Sequence, residues 1–550
     1  MTDSAREWLL RRTAPELARR YRRDGLWSDD TLGALLDGWL AVQPDLPFRI
    51  WSATRPCRAH LGAVRDEARR LAAGLRARGL GAGDVVAFQL PNWVEAATTF
   101  AALSMLGAVI VPIVHYYGVR EVGFALRESR ARALITADAF RRTDYVAALA
   151  ALRPALPDLE LVAMVRAGPA PLPGDVVPYA ALAAAAPLAA LPAVDPDAPA
   201  IIGYTSGTTA DPKGVIHTHR SLIAEIRQLA AIQLSGGRPT LISAPIAHAI
   251  GLLGGFLLPA CRGQAVHLTD VWDPDAVLDA MLAEDLSAGS GATVFLLSLL
   301  DHPRFSAAHA ARMPWIGLGS APVPVAVADR AEALGIAVSR VYGSTEHPST
   351  TGAAPDAPRD KRTRTDGHAL AGVELRIVDE DGHDLPAGAA GEIWSRGPDL
   401  CAGYTDPALT GEAFHGDGWY ASGDIGVRDA DGYLTITDRK KDIVIRGGAN
   451  ISAAEIEELL ARLPAVTEVA VVAAPDPRLG EHACAYLRLR PGAPAPVLAD
   501  LQRHLEGCGL ARPKWPEELH VVDDFPRTAS GKIKKYVLRD ALRAGRGGGA

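Results

Sequence analysis

Hydrophobic and polar positions along the chain change period several times, and each change predicts an element. Apolar residues recur at helical spacing through residues 64–77 and stop in the Gly-rich stretch RARGLGAGD, which predicts an amphipathic helix and its end. The next apolar stretch, DVVAFQL at 84–90, lacks alternation and reads as a buried strand. A second helix is predicted over 93–106 and a second strand, VIVPI, over 109–113. Strand, helix and strand in that order, with β-branched runs that do not alternate, predict a parallel sheet covered on both faces. Further buried strands are expected at 132–136, 200–204, 240–244, 315–318 and 337–342. Residues 168–199 turn Ala/Pro-rich and low in complexity, which predicts a surface connection of little chemical interest.

The rhythm changes near Gly391. GEIWSRG and GYLTITDRKKDIVIRGG are short, Gly-punctuated segments that read as antiparallel strands. After Ile451, Ser452 and Glu455 form a capping box that opens a helix through Ile456, Leu459 and Leu460, satisfying its first N–H groups. Strands at 466–474 and 482–490 and a helix at 497–505 complete a small α+β unit of viable independent size. The expected fold class is α/β. A large N-terminal domain, residues 1–438, layers parallel and mixed sheets with helices and adds a small β-rich subdomain; a small α+β C-terminal domain follows at 439–550, with the boundary at 438–441.

Size agrees with two units, because 550 residues exceed what one compact core accommodates. Apolar residues make up 48% and charged residues 22%, the balance of a soluble enzyme. A net charge of −7 gives no sign of a nucleic-acid-binding surface. Five cysteines (Cys57, Cys261, Cys401, Cys484, Cys508) are scattered without CxxC spacing, so we expect reduced, mostly buried thiols in a cytoplasmic protein. The Arg-rich start is not a signal peptide. Such a stretch can touch anionic lipid, but we read it as a helix or coil packed on the body. The most apolar run, 107–114, is far too short to span a bilayer.

The first chemistry lies at 204–215, YTSGTTADPKGV, after a predicted strand and before a helix beginning near His219. Four hydroxyls (Thr205, Ser206, Thr208, Thr209), flexible Gly207 and Gly214, and one cation, Lys213, fall within this stretch. Hydroxyl and backbone donors with a point charge suit a polyphosphate. No Gly-Lys-Ser/Thr triplet closes the loop, so it is not a Walker A motif. The whole string resembles the phosphate loop of the adenylate-forming superfamily, which holds acyl-CoA synthetases, peptide-synthetase adenylation domains and luciferases.

Five more stations follow in that family's order. Gly319-Ser320-Ala321-Pro322 resembles the adenine-side turn, whose small residues let a flat ring approach the backbone. In Tyr342-Gly343-Ser344-Thr345-Glu346 the resemblance implies that Tyr342 stacks on adenine, Thr345 contacts the α-phosphate and Glu346 holds Mg²⁺, a hard ligand for a hard cation. Asp424, closing GWYASGD, matches the carboxylate that accepts from both ribose hydroxyls. Asp438-Arg439-Lys440-Lys441-Asp442 matches the hinge motif, with Arg439 near the ribose and Lys441 at the pivot. Gly447 and Gly448 would line the thiol channel. Last, PRTASGKIKK matches the segment of the catalytic lysine, placed at Lys532 by the Gly531-Lys532 register although Lys534 and Lys535 stand close. The resemblance runs from about Glu67 to Arg539.

The resemblance implies an ATP- and Mg²⁺-dependent acid–thiol ligase. A carboxylate attacks the α-phosphorus of ATP, pyrophosphate leaves, and a thiol, expected to be coenzyme A, takes the acyl group. Lys532 would bridge carboxylate and α-phosphate, and rotation of a mobile C-terminal domain about Lys441 would open the thiol channel. PIAHAIGLLGG at 245–255 occupies the family's acyl-pocket segment. It offers no Asp for a substrate ammonium and carries Ala249 where relatives acting on hydroxylated aryl acids place Asn. The expected acid is therefore apolar (fatty, alicyclic or simple aromatic), since an unpaired buried polar group is costly. Ala249, Gly251, Gly254 and Gly255 suggest a roomy cavity. His248 is read as lining it and orienting the carboxylate, with a structural histidine as the alternative. His217, His219 and His347 receive no assigned chemistry. Rival readings are an enzyme that loads a carrier protein's phosphopantetheine and a non-catalytic nucleotide-binding protein; a homodimer is compatible with the sequence.

Overall fold

The computed structural model describes residues 8–168, 171–205, 212–232, 237–289, 291–319, 323–447, 449–527 and 532–546. These fall into two compact units: residues 8–205, 212–374 and 396–420, and residues 375–395 and 421–546.

The core of the first unit begins with strands Val85–Gln89, Val109–Pro112, Ala133–Ala137 and Leu161–Val165, which pair in parallel. Alternation sends their side chains to two separate cores. Val86 and Phe88 join one that includes Leu71 and Phe100, while Val85 and Ala87 join another with Val122, Leu126 and Leu149. Helix Val94–Leu106 is buried from Glu95 to Leu106, so that even its polar residues Glu95, Thr98 and Thr99 are enclosed. It lies in the core shared with a second sheet, built on strands Pro47–Trp51, Thr240–Ile242 and Val266–Thr269. The strand expected at 240–244 therefore forms, but in this second sheet. A third sheet begins with the parallel pair Trp315–Leu318 and Ala337–Tyr342.

Two expectations change. Residues 168–199 are more than a surface connection, because Val177–Pro178 adds an edge strand to the main sheet and Tyr179, Leu182 and Leu188 are buried. The carbonyl of Leu182 presses on Gly74 so closely that a Cβ there would lie 2.2 Å away. Low complexity concealed this contact because the few large side chains are spaced among alanines. The phosphate segment also returns through a strand, Gly214–Thr218, antiparallel to Pro199–Tyr204, before helix His219–Ile232 begins. The Arg-rich start is packed on the body: helix Pro15–Arg23 buries Tyr21 and pairs Arg20 with Glu374, and Arg11 donates to the Cys401 carbonyl. No helix among the described residues is long and apolar enough to cross a membrane. None of the five cysteines is in a disulfide; two are buried, two half-buried and Cys508 exposed, so burial is less general than expected.

In the second unit Trp419–Arg428, from Ala421 onward, pairs antiparallel with Leu434–Arg439. A further sheet then forms around strands Val466–Asp476 and Gly480–Leu489, with Glu518–Val521 parallel to the latter. Helices Ala453–Leu460 and Leu498–Gly507 fill one core and Lys535–Arg546 covers another. Ser452 caps its helix by accepting from Glu455 N at 3.0 Å. The reciprocal half of the predicted capping box is replaced by an ion pair, since the Glu455 carboxylate meets Lys514 at 2.6 Å.

Candidate active site

Thr205, Lys213, Gly319, Tyr342, Gly343, Thr345, Glu346 and His248 belong to the first unit; Asp424, Arg439, Lys441, Gly447 and Lys532 belong to the second. Ser206, Gly207, Thr208, Thr209, Ser320, Ala321 and Gly448 lie outside the described residues.

The phosphate segment is rooted in a hairpin stem. Thr205 N donates to the Lys213 carbonyl at 3.0 Å, and Lys213 N approaches Thr205 Oγ1 at 3.4 Å. Gly214 is needed beside it, because a Cβ would sit 2.5 Å from Thr405 Oγ1. The short strand Gly403–Tyr404 lies along the stem, with Val215 opposite Tyr404. The Lys213 ammonium stands 5.6 Å from the centre of the Tyr404 ring, within range of a cation–π attraction. On its other side the Tyr404 hydroxyl donates to Glu346 Oε1 at 2.8 Å. One side chain thus links the loop's cation to the predicted metal ligand. Burial first, and then the Glu346 charge, hold the Tyr404 phenol well above its ordinary range.

Glu346 sits on a turn held from several directions. Gly343 packs against Pro348 so tightly that a Cβ would fall 1.8 Å from its carbonyl oxygen. Ser344 N donates to the His347 carbonyl at 2.9 Å, and His347 N donates to Ser344 Oγ at 3.1 Å. Cys401 N donates to the Glu346 carbonyl at 2.8 Å. His217, which the sequence left without a role, lies 2.7 Å from the Thr345 carbonyl through Nε2. A carbonyl only accepts, so Nε2 carries the proton, and burial lowers the pKa of this imidazole. His347 pairs with Asp399 at 3.2 Å, both side chains being almost fully buried. Buried Glu225, accepting from Ser349 at 2.5 Å, is raised well above the carboxylate range by burial and by Asp399 nearby. His347 is therefore a packing group behind the turn.

Gly319 follows Trp315–Leu318, and Tyr342 ends the parallel partner strand. A Cβ at Gly319 would lie 2.6 Å from the Val341 carbonyl, so the two chains close to backbone contact at the C-terminal ends of parallel strands. Such ends are where open α/β sheets bind ligands.

In the expected acyl segment, His248 is half-buried at the N-cap of helix Ala249–Leu252, its Nδ1 3.4 Å from Ile250 N. Asn92 holds this segment by donating to the carbonyls of Ala244 (3.0 Å) and Thr269 (3.1 Å) and accepting from Ile246 N (2.9 Å). The small residues do not all enlarge a cavity. A Cβ at Gly251 would meet the Pro245 carbonyl at 2.1 Å, and one at Gly255 would meet Leu268 at 2.9 Å. These two permit close packing, whereas Gly254 has open space around it.

On the second unit Asp424 is opposite Arg439 in the strand register, and the two pair at 3.0 Å. Lys441, exposed by surface area but crowded by its neighbours, has its ammonium lowered to about 8, by desolvation first and then by the Arg439 charge. Asp442, the next residue, is tied to Arg539 at 2.5 Å. Gly447 adopts φ +57° and donates to the Leu479 carbonyl at 2.7 Å. Lys535 is committed to Glu457 at 2.7 Å, while Lys532 is exposed.

Residues 37–405 match the model of the family described as AMP-binding enzyme, and residues 455–532 that of its C-terminal domain. The chain is 34% identical over 527 residues to the medium-chain fatty-acid–CoA ligase of Escherichia coli K12, covering 95% of this chain and 92% of that protein. It is 34% identical over 476 residues to the indoleacetate–CoA ligase of Aromatoleum aromaticum, covering 86% and 91%. Among solved structures, ATP-bound MatB from Rhodopseudomonas palustris superposes with a TM-score of 0.82 at 30% identity, covering 93% of this chain and 99% of that one.

Proposed function

The chain belongs to the AMP-binding enzyme family, and from that premise we propose that it is an AMP-forming acid–thiol ligase acting on apolar carboxylic acids. The carboxylate attacks the α-phosphorus of ATP, pyrophosphate departs, and the thiol of coenzyme A displaces AMP from the acyl-adenylate. The observation that carries this reading is the Lys213–Tyr404–Glu346 chain. It places a cation beside the stem of the phosphate segment and a carboxylate on a braced turn.

The residues fit a divalent cation at Glu346. Tyr404 occupies Oε1 and leaves the carboxylate's second oxygen for a hard ion. Mg²⁺ bound there supplies charge that offsets the polyphosphate. Lys213 and the Thr/Ser loop hold the phosphates that leave. Thr345, its carbonyl fixed by His217, is assigned the contact to the α-phosphate. Gly319 and Tyr342 form the adenine side, and Asp424 receives the ribose hydroxyls. We assign Lys532 the charge that meets both carboxylate and α-phosphate, so that two anions can approach. The pivot is assigned to Lys441 at a domain boundary of 438–441, and Gly447 with Gly448 to the thiol path.

The acid is fatty, alicyclic or simple aromatic. The 245–255 segment has no acidic residue with which to pair an ammonium group. The named substrates of the E. coli and A. aromaticum relatives, a medium-chain fatty acid and indoleacetate, support that class. We also place the protein in the cytoplasm, where cysteines scattered without CxxC spacing stay reduced.

The test is a panel of C4 to C16 fatty acids, cyclohexanecarboxylate, benzoate, phenylpropanoate, salicylate and amino acids, with ATP and Mg²⁺, with and without coenzyme A. Acid-dependent pyrophosphate release with thioester formation is expected for the apolar members. Adenylate without thioester would transfer the acceptor role to a carrier protein's phosphopantetheine. Turnover restricted to amino acids or salicylate would overturn the apolar assignment.

A further inference from the structure

We propose that the edge of the C-terminal sheet carries a transition-metal site of the zinc class, with Cys484, Glu518 and His520 as its protein ligands. One ligand atom from each, the thiol sulfur, a carboxylate oxygen and an imidazole nitrogen, lies within 4.8 Å of the other two. This site belongs to the second unit alone and is distinct from the carboxylate assigned to Mg²⁺.

Strand register brings the three together. Gly480–Leu489 and Glu518–Val521 run parallel, with Cys484 opposite Glu518 and Tyr486 opposite His520. Alternate residues share a face, so Cys484, Glu518 and His520 project on one side together with His482. The Tyr486 ring stacks on His520 at 4.7 Å and 21°, which fixes the imidazole plane. His520 Nε2 lies 2.9 Å from Glu518 Oε1 and His482 Nε2 lies 3.4 Å from Oε2. The carboxylate is thus held on both oxygens, and His482 acts as a positioning residue.

The surroundings suit entry and retention of an ion. Cys484 is fully buried in an apolar cluster with Ala470, Val472 and Phe525, where a cysteine by itself would be a small hydrophobe. Glu518 and His520 are partly exposed and open the site to solvent. A thiolate, an imidazole and a carboxylate form a mixed set that favours Zn²⁺ over Mg²⁺, which prefers six oxygens. Tetrahedral bonds of about 2.0–2.3 Å place ligand atoms roughly 3.3–3.8 Å apart, so small side-chain adjustments of at most about 1.5 Å bring the trio to that geometry. Three protein ligands leave the fourth vertex for water. Binding displaces the Cys484 thiol proton to solvent. The metal would clasp the strand that leads, through Phe525, into the segment bearing Lys532.

The full-length protein, reduced and stripped with a chelator, would be titrated with Co²⁺ as a spectroscopic probe. One equivalent is expected to develop thiolate-to-cobalt charge-transfer absorption with a tetrahedral ligand-field band. Zn²⁺ should displace it and a large excess of Mg²⁺ should not. Cys484→Ser should abolish the charge-transfer band, and His520→Ala should weaken cobalt binding by more than about tenfold. Glu518→Gln and His520→Ala alter partly exposed positions and test the site in a folded chain should Cys484→Ser unfold. Cys508→Ser, at the exposed thiol, should leave the spectrum intact. Absence of a thiolate band, a band that survives Cys484→Ser or His520→Ala, or displacement by Mg²⁺ would each overturn the proposal.

Discussion

Tyr404 stands between charges of opposite sign, Lys213 over its ring and Glu346 at its hydroxyl. Tyr404→Phe keeps the ring and removes the donor. A hydrogen bond to a charged group contributes about 1.5–3 kcal/mol, so acid-dependent ATP–pyrophosphate exchange should fall about 10–100-fold, most sharply at low Mg²⁺. An unchanged Mg²⁺ dependence would mean that the hydroxyl does not hold the metal ligand. Lys441 permits a pH prediction. Its ammonium is lowered to about 8, below the unfolded value of roughly 10.4. Between these values the native state binds fewer protons than the unfolded chain, so this group's contribution to stability increases as pH rises through that window. Arg439→Ala removes a like charge and should raise the Lys441 value, though not to the ordinary lysine range, because desolvation is the larger cause. NMR titration of the lysine side chain reads both values.

At the scale of elements, the turn from Tyr342 to Glu346 depends on backbone contact. Gly343→Ala would force a Cβ onto the Pro348 carbonyl and displace Glu346, so it should lose adenylation while leaving the C-terminal sheet folded. Exchange activity together with hydrogen-exchange protection of residues 466–489 separates the two effects. Ser452→Ala removes an N-cap acceptor and should cost about 1 kcal/mol, measured as a lower denaturation midpoint. Much at this scale was legible in the sequence. The unalternating runs at 84–90 and 109–113 became parallel strands because both of their faces are buried. The strand 214–218 escaped notice because its five residues are too few to establish a period between a Gly-rich loop and a helix.

For the whole molecule, the two half-reactions make separate demands. Lys532→Ala should lower adenylation by about 10²–10³-fold, the usual effect of losing one preorganised charge contact. Thioester formation from supplied acyl-adenylate and coenzyme A should persist, because Lys532 is assigned no part in thiol attack. Loss of both steps to the same extent would point to a structural role for Lys532. The assay follows pyrophosphate and thioester independently in one preparation.

The sequence by itself determined which chemistry is present and in what order it is strung. The hydroxyl-rich phosphate segment, Tyr342 to Glu346, Asp424, the hinge pair and Lys532 each lie in short windows where residue type and spacing carry the information. Tertiary structure decided how those windows are braced. Tyr404 reaches Glu346 across 58 positions and His217 reaches the Thr345 carbonyl across 128, and neither histidine nor tyrosine carries a local mark of that role. It also separated glycines that leave open space, such as Gly254, from those that admit a backbone, such as Gly251. Local periods arise from the geometry of one helix or strand. Long-range contacts arise from which burial and register the packed sheets allow, and no window of sequence contains that choice.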